Sequence, residues 1–145
     1  KAFNYSIDQI INKIKNLNFQ KIVAIESRGF LFASAVAYKM SKSLILIRKK
    51  NKLPAERYSE DFELEYGKAT VEIHKDSIAA KDKVIIIDDL IATGGTAMAA
   101  AKLVEKSGGK IESFVFVINL FDLGGKDLLE KNSYKSVILV NFPGH

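Results

Sequence analysis

The chain has 145 residues, 48% hydrophobic and 27% charged, enough apolar content for one packed core and too much for a disordered polypeptide. Its 22 Lys and Arg outnumber 17 Asp and Glu, and the net charge of +5 favours anionic partners without choosing among them. The absence of cysteine removes disulfides and thiolate metal sites. No apolar run is long enough to cross a bilayer and no signal peptide opens the chain, so a cytoplasmic protein of one domain, residues 1–145, is expected.

The first stretch places Ile7, Ile10, Ile11, Ile14 and Leu17 at helical spacing with polar residues between them. A short buried strand follows at Ile22 to Ile25, and "GFLFASAVAYKM" has the length and small residues of a buried helix, with Phe30, Leu31 and Phe32 expected in the core. "SLILIRKK" reads as a second strand, after which residues 51–68 are polar and expected to be irregular. "ATVEIHK" alternates like a half-exposed strand with Val71 and Ile73 on one face. "DKVIIIDD" is a strand too apolar to leave either face in water. A helix beginning near Thr96 is closed by Gly108-Gly109, as suits a C-cap. A strand at "IESFVFVINL", a short helix at "GKDLLEKN" and a last strand at "KSVILVNF" complete the chain. Strands alternating with helices imply an α/β fold, a mainly parallel sheet flanked by helices.

The stretch "VIIIDDLIATGGT", Val84 to Thr96, concentrates the chemistry. In an open α/β sheet, ligands collect where strands end and helices begin. Asp88 and Asp89 arrive at that edge, and the turn after them offers backbone N–H groups, a helix N-terminus and the hydroxyls of Thr93 and Thr96 to an anion. Gly94 and Gly95 would let the backbone approach a phosphate. The carboxylates suit a ribose diol or a hydrated Mg²⁺, so the stretch describes a pocket for a phosphorylated sugar. If the strand persists through both acids they start in opposite directions, and one is then more structural than the other. Plain turn capping is the bland alternative. A P-loop needs a lysine after its last glycine, and here Gly95 precedes Thr96. The metal pocket of a phosphoacceptor signalling domain wants its acids on the first strand, whereas these lie past the midpoint.

With "VIIIDDLIATGGT" stand two further stretches, "IESRGFLF" (Ile25 to Phe32) and "IRKKNKLP…LEYGKATVEIHKD" (Ile47 to Asp76). In this order they resemble the type I phosphoribosyltransferases, and among them the adenine phosphoribosyltransferases. The resemblance implies a mobile flap after the second strand, Mg²⁺, a homodimer, and transfer of a phosphoribosyl group from 5-phosphoribosyl 1-pyrophosphate to adenine, giving AMP and pyrophosphate. It implies that Asp88 and Asp89 hold the ribose hydroxyls, directly or through hydrated metal. Ala92, Thr93, Gly94, Gly95 and Thr96 would bind the 5′-phosphate. Ser27, Arg28 and Gly29 would form the pyrophosphate loop, aided by Arg48 and Lys52, partly across the dimer interface. Glu65 on the flap would act on the purine, and Leu120 would form a wall of the base pocket. The family's hood segment, which supplies base contacts, is not expected in a chain that opens at Lys1. A 6-oxopurine transferase and a non-catalytic phosphoribosyl-pyrophosphate sensor remain the alternatives, and nucleic acid is not an expected partner. Neither His74 nor His145 is assigned a role.

Overall fold

The most apolar strand organises the molecule. In β5 (Lys83–Ile91), Val84, Ile85, Ile86 and Ile87 are all completely buried. Side chains alternate across a strand, so Val84 and Ile86 enter one core while Ile85 and Ile87 enter another. A strand that buries both faces must sit inside a sheet covered on both sides. The computed structural model describes residues 1–64 and 67–144 and shows that arrangement. Its seven strands run in the order β3-β4-β2-β1-β5-β6-β7.

The parallel part comprises β1 (Lys21–Ile25), β2 (Ser43–Lys49), β5, β6 (Lys110–Leu120) and β7 (Ser136–Phe142). Helices α1 (Ala2–Ile14) and α2 (Gly29–Met40) cover one face, where Ile7, Ile10, Ile14, Ala33 and Val36 meet Ile22 and Ile87. Helix α3 (Gly95–Lys106) covers the other with Ala97, Ala100, Ala101, Leu103 and Val104, and α4 (Gly125–Lys131) adds Leu129. Each helix has a lysine in its last turn, where a cation offsets the partial negative charge of the carbonyl end. Helix α3 stops as its sequence implies: Ser107 is the C-cap and Gly108, at φ +91°, takes the left-handed position after it.

Three expectations need correction. Residues 51–68 are not an irregular loop throughout, because Arg57–Leu64 forms strand β3, paired antiparallel with β4 (Gly67–His74) from Arg57↔His74 to Leu64↔Gly67. Tyr58 and Phe62 alternate with acids and pack on the α3-side core, a period-two pattern that Glu60, Asp61 and Glu63 conceal. The ribbon joins the sheet through Arg48↔Glu72 and Lys49↔Val71, with the Lys50 N–H donating to the Thr70 carbonyl at 3.2 Å, and it is tied to α3 by Lys106, which pairs with Glu60 at 2.5 Å and donates to the Ser59 carbonyl at 3.2 Å.

Strand β4 is not half exposed either. Glu72 is buried between Val71 and Ile73, where its carboxylate accepts from the Asn51 N–H, Arg57 Nε and Ser59 Oγ at 2.7, 3.0 and 2.7 Å. A buried carboxylate survives only with such partners. Finally, Leu31 is exposed on the outer side of α2, while Phe30 and Phe32 are partly buried.

Candidate functional site

β1 pairs with β5 as far as Ala24↔Ile87, but β5 runs on to Ile91 beside β6. Asp88 and Asp89 therefore lie past the last β1–β5 pair, close to the Glu26–Arg28 turn that leads into α2. The strand does persist through both acids, and their surroundings differ as opposite starting directions require. Asp88 lies against the start of α2: a Cβ on Gly29 would come within 2.8 Å of Asp88 Oδ1 and 3.0 Å of the Ile87 carbonyl, so only glycine lets that helix begin here. Asp89 instead meets Arg28, Oδ2 to Nε at 2.9 Å. The Asp89 N–H donates to Asp88 Oδ1 at 2.9 Å.

Burial pushes the Asp88 carboxyl up to about 8; the adjacent Asp89 charge adds to the rise, against the lowering pull of the Asp89 N–H and Arg28. Arg28 is largely in solvent, so its pairing with Asp89 is a weak tether, worth under about 1 kcal/mol.

After Ile91 the chain turns through Ala92, Thr93 and Gly94 into α3. Gly94 is the N-cap at φ +91°, and a Cβ there would press on Gly125 and Leu128 at 3.1–3.3 Å, so this glycine seats the turn against α4. Gly95 faces the ribbon, where an added Cβ would meet Phe62 and the Glu63 carbonyl at 3.6–3.7 Å, ordinary contact distances. Gly94 thus has a structural reason beyond the expected approach to a phosphate, whereas packing would tolerate a methyl at Gly95. Among the described residues no side chain caps α3. The N–H groups of its first turn have no helical acceptor, and they point at whatever occupies the space before them.

That space is a cavity of about 460 Å³. Its walls bring together nine residues the sequence singled out: Ser27, Arg28, Asp88, Asp89, Ala92, Thr93, Gly94, Gly95 and Thr96. The pairing of Asp89 with Arg28 does not close it, and the glycine turn is not plugged by neighbouring side chains. Four other candidates do not line it. Gly29 packs behind Asp88. Arg48 and Lys52 reach Glu26 instead, and Leu120 ends β6 opposite Phe142. Glu65 lies outside the described residues, as do Tyr66 and His145.

Sequence reasoning missed Glu26, Lys49 and Phe116, which also line the cavity. Glu26 carries a readable signal, a carboxylate ending an apolar strand just before Ser27-Arg28-Gly29. Its side chain is only 7% exposed. Burial would raise its carboxyl, but hydrogen bonds from Lys52, the Lys49 N–H and Arg48 outweigh that and hold it down at about 2. Lys49 adds a basic residue to the lining.

The arrangement sets uncapped N–H donors and hydroxyls on one side, two carboxylates on another, and an arginine and a lysine at the mouth. It can grip a molecule carrying both phosphates and hydroxyls. Among the described residues no group of three or more carboxylates or histidines could hold a metal alone. Two carboxylates fit Mg²⁺, which keeps its waters and takes further oxygens from a phosphorylated ligand.

Comparison with known proteins gives concordant results. Residues 2–142 match the phosphoribosyl transferase domain family. An adenine phosphoribosyltransferase of Pelagibacter ubique is 66% identical over 144 residues, which cover 99% of this chain and 82% of that protein. The crystal structure of the enzyme of the same name from Thermoanaerobacter pseudethanolicus superposes with a TM-score of 0.93 at 43% identity, covering 97% of this chain and 81% of that one. The Trypanosoma brucei adenine phosphoribosyl transferase, in complex with AMP, pyrophosphate and ribose-5-phosphate, gives 0.87 at 28% identity, covering 96% and 64%.

Proposed function

The chain belongs to the phosphoribosyl transferase family, and from that premise we propose that it transfers the 5-phosphoribosyl group of 5-phosphoribosyl 1-pyrophosphate to adenine, giving AMP and pyrophosphate. The observation that carries the reading is the shared cavity, in which the Asp88-Asp89 pair and the open N-terminus of α3 face a single space with Ser27 and Arg28 at its mouth. Its 460 Å³ is within the usual range of small-molecule sites.

In the reaction the bond from ribose C1 to the diphosphate oxygen breaks, its electron pair leaves with pyrophosphate, and C1 bonds to N9 of adenine, which gives up its proton. Positive charge develops on the ribose ring, as in glycoside hydrolysis. The uncapped turn Ala92–Thr96 receives the 5′-phosphate and fixes one end of the sugar. Asp88 and Asp89 accept from the ribose hydroxyls and place anionic charge beside the electron-deficient ring. Ser27 and Arg28, with the Lys49 ammonium, meet the departing diphosphate. Mg²⁺, held by the substrate's oxygens and by Asp88, would neutralise part of the diphosphate charge. Glu65 takes or orients the purine N9 proton. Leu120, beyond the main cavity at the end of β6, is assigned to the base wall. The β3–β4 ribbon, whose Phe62 packs beside Gly95, is the flap that keeps water from the sugar.

Two further assignments belong to the same reading. The protein works as a homodimer: Leu31 and Tyr38 share one face of α2, Leu44 and Leu46 share one face of β2, and all four are exposed. It is cytoplasmic; among the described residues no helix is long and apolar enough to cross a membrane.

The test is to incubate the protein with phosphoribosyl pyrophosphate, Mg²⁺ and adenine, hypoxanthine or guanine in turn, and to resolve the nucleotides by chromatography. AMP from adenine alone is expected. Product from hypoxanthine or guanine would favour the 6-oxopurine transferase, and no product from any base would favour a sensor.

A further inference from the structure

We infer that Glu26 is a positioning residue for diphosphate, gathering Arg48, Lys52 and the Lys49 N–H at the edge of the cavity. The inference rests on the transferase reading. Glu26 Oε1 accepts the Lys49 N–H at 2.9 Å and Arg48 Nε at 3.3 Å, and Oε2 accepts Lys52 Nζ at 2.8 Å. These donors come from the end of β2 and the turn after it, whereas Glu26 follows β1. One carboxylate therefore collects three donors from a neighbouring segment at the wall of the substrate cavity.

The carboxylate is almost fully covered, while the Arg48 and Lys52 side chains are 33% and 47% exposed. The three donors outweigh the desolvation of the acid. Both cations would be well hydrated without Glu26, so what they gain from it is placement. With Nε held by Glu26, the Arg48 guanidinium lies 6.0 Å from the centre of the Phe30 ring, and its terminal nitrogens make no hydrogen bond among the described residues. Lys52, on a mobile four-carbon stem, is drawn to a residue that lines the cavity. A second hollow, about 320 Å³, lies between this cluster and the ribbon and shares Glu26, Lys49 and Thr96 with the main cavity. Glu26 thus stands where the phosphate turn, the basic turn and the ribbon meet.

Arg48 and Lys52 do not line the cavity, although the resemblance makes them diphosphate ligands, and Glu26 reconciles the two facts. It keeps both cations one side chain away from the ligand, in a fixed direction, so that little side-chain entropy remains to be lost when diphosphate arrives. In the ligand-free protein the cations that line the cavity are Arg28 and Lys49.

The decisive variant is Glu26→Gln, which keeps the shape and the Oε1 acceptor but removes the charge. Steady-state kinetics in both directions should show KM for phosphoribosyl pyrophosphate and for pyrophosphate rising about tenfold, equivalent to about 1.4 kcal/mol. KM for adenine and AMP should stay within about twofold, about 0.4 kcal/mol. In an Arg48→Ala/Lys52→Ala background, the same Glu26→Gln change should have no further effect, because the residues it acts through are gone. A thermal melt of each variant separates misfolding from mispositioning. Equal damage with and without Arg48 and Lys52, or a fall in kcat with KM for pyrophosphate unchanged, would overturn the inference. An unmutated protein that makes no nucleotide from any purine would instead overturn the transferase reading beneath it.

Discussion

Replacing Asp88 by asparagine should stabilise the ligand-free protein, and increasingly so as pH rises. The carboxyl is raised from an ordinary 3.8 to about 8 by burial and by Asp89 beside it. A group whose pKa is higher in the folded than in the unfolded chain keeps its proton longer when folded. Its contribution is fully present below pH 3.8 and is lost as pH climbs through 8. Within that window each pH unit costs the folded state up to about 1.4 kcal/mol. Solvent in the open cavity screens the repulsion, so we take about half of the total, roughly 2–3 kcal/mol between pH 4 and pH 8.

Asparagine is the same size, still accepts the Asp89 N–H, and carries no charge. At about 2–4 °C per kcal/mol for a chain of this size, Asp88→Asn should melt roughly 5–10 °C above the unmutated protein at pH 8. The two should melt within about 2 °C of each other at pH 4.5, near the lower end of the window. The assay is calorimetry or circular dichroism across that pH range without ligand. A variant that melts lower at pH 8, or a difference that does not change with pH, would refute the argument that burial and like charge strain this carboxylate. The same variant should lose most of its affinity for Mg²⁺ and phosphoribosyl pyrophosphate, since the repulsion is the part that a ligand relieves.

Gly29→Ala should cost roughly 2–3 kcal/mol in urea denaturation, because the new methyl would press on Asp88 Oδ1 and on the Ile87 carbonyl, and a backbone atom in a central strand cannot retreat. A loss below about 0.5 kcal/mol would mean that α2 can shift at its start. Glu65→Gln should lower kcat at least about a hundredfold, the usual scale of general acid–base assistance, while KM for phosphoribosyl pyrophosphate changes by less than about threefold. Unchanged steady-state turnover would remove Glu65 from the chemistry.

The parts of this molecule that could be read from sequence are those where one physical demand dominates. Val84 to Ile87 leave a strand no wet face, so its central place in a sheet followed directly. The Asp-Asp pair and the glycine turn also announced themselves, because two adjacent carboxylates on an apolar strand are hard to explain by turn capping alone. Strand β3 hid because its solvent-facing positions and its packing positions both contain acids: Glu60 reaches Lys106, and only Tyr58 and Phe62 betray the period. Glu72 hid for a related reason. Alternation placed it outward, and what covers it is Arg57, Ser59 and the Asn51 amide, partners that come from elsewhere in the chain and leave no local trace. Glu26 belongs to the same class. Its role depends on a turn more than twenty positions away, and no spacing rule reaches that far.

A cavity suited to a polyanion would be expected to be lined with cations, yet three carboxylates, Glu26, Asp88 and Asp89, stand in or beside this one. Each is balanced differently in the free protein: Glu26 by Arg48 and Lys52, Asp89 by Arg28, and Asp88 by a proton. On the proposed reading, phosphates entering the cavity would compete for Arg28, ribose hydroxyls and a divalent cation would compete for the two aspartates, and the proton on Asp88 would be displaced. Binding therefore exchanges one set of charge pairs for another, and little net charge is transferred from water. Two consequences follow from that exchange. Affinity should fall only mildly with added salt, because most of the cations used are already paired. Proton release should accompany binding between pH 5 and pH 8, because the proposed role of Asp88 toward sugar and metal requires its ionised form.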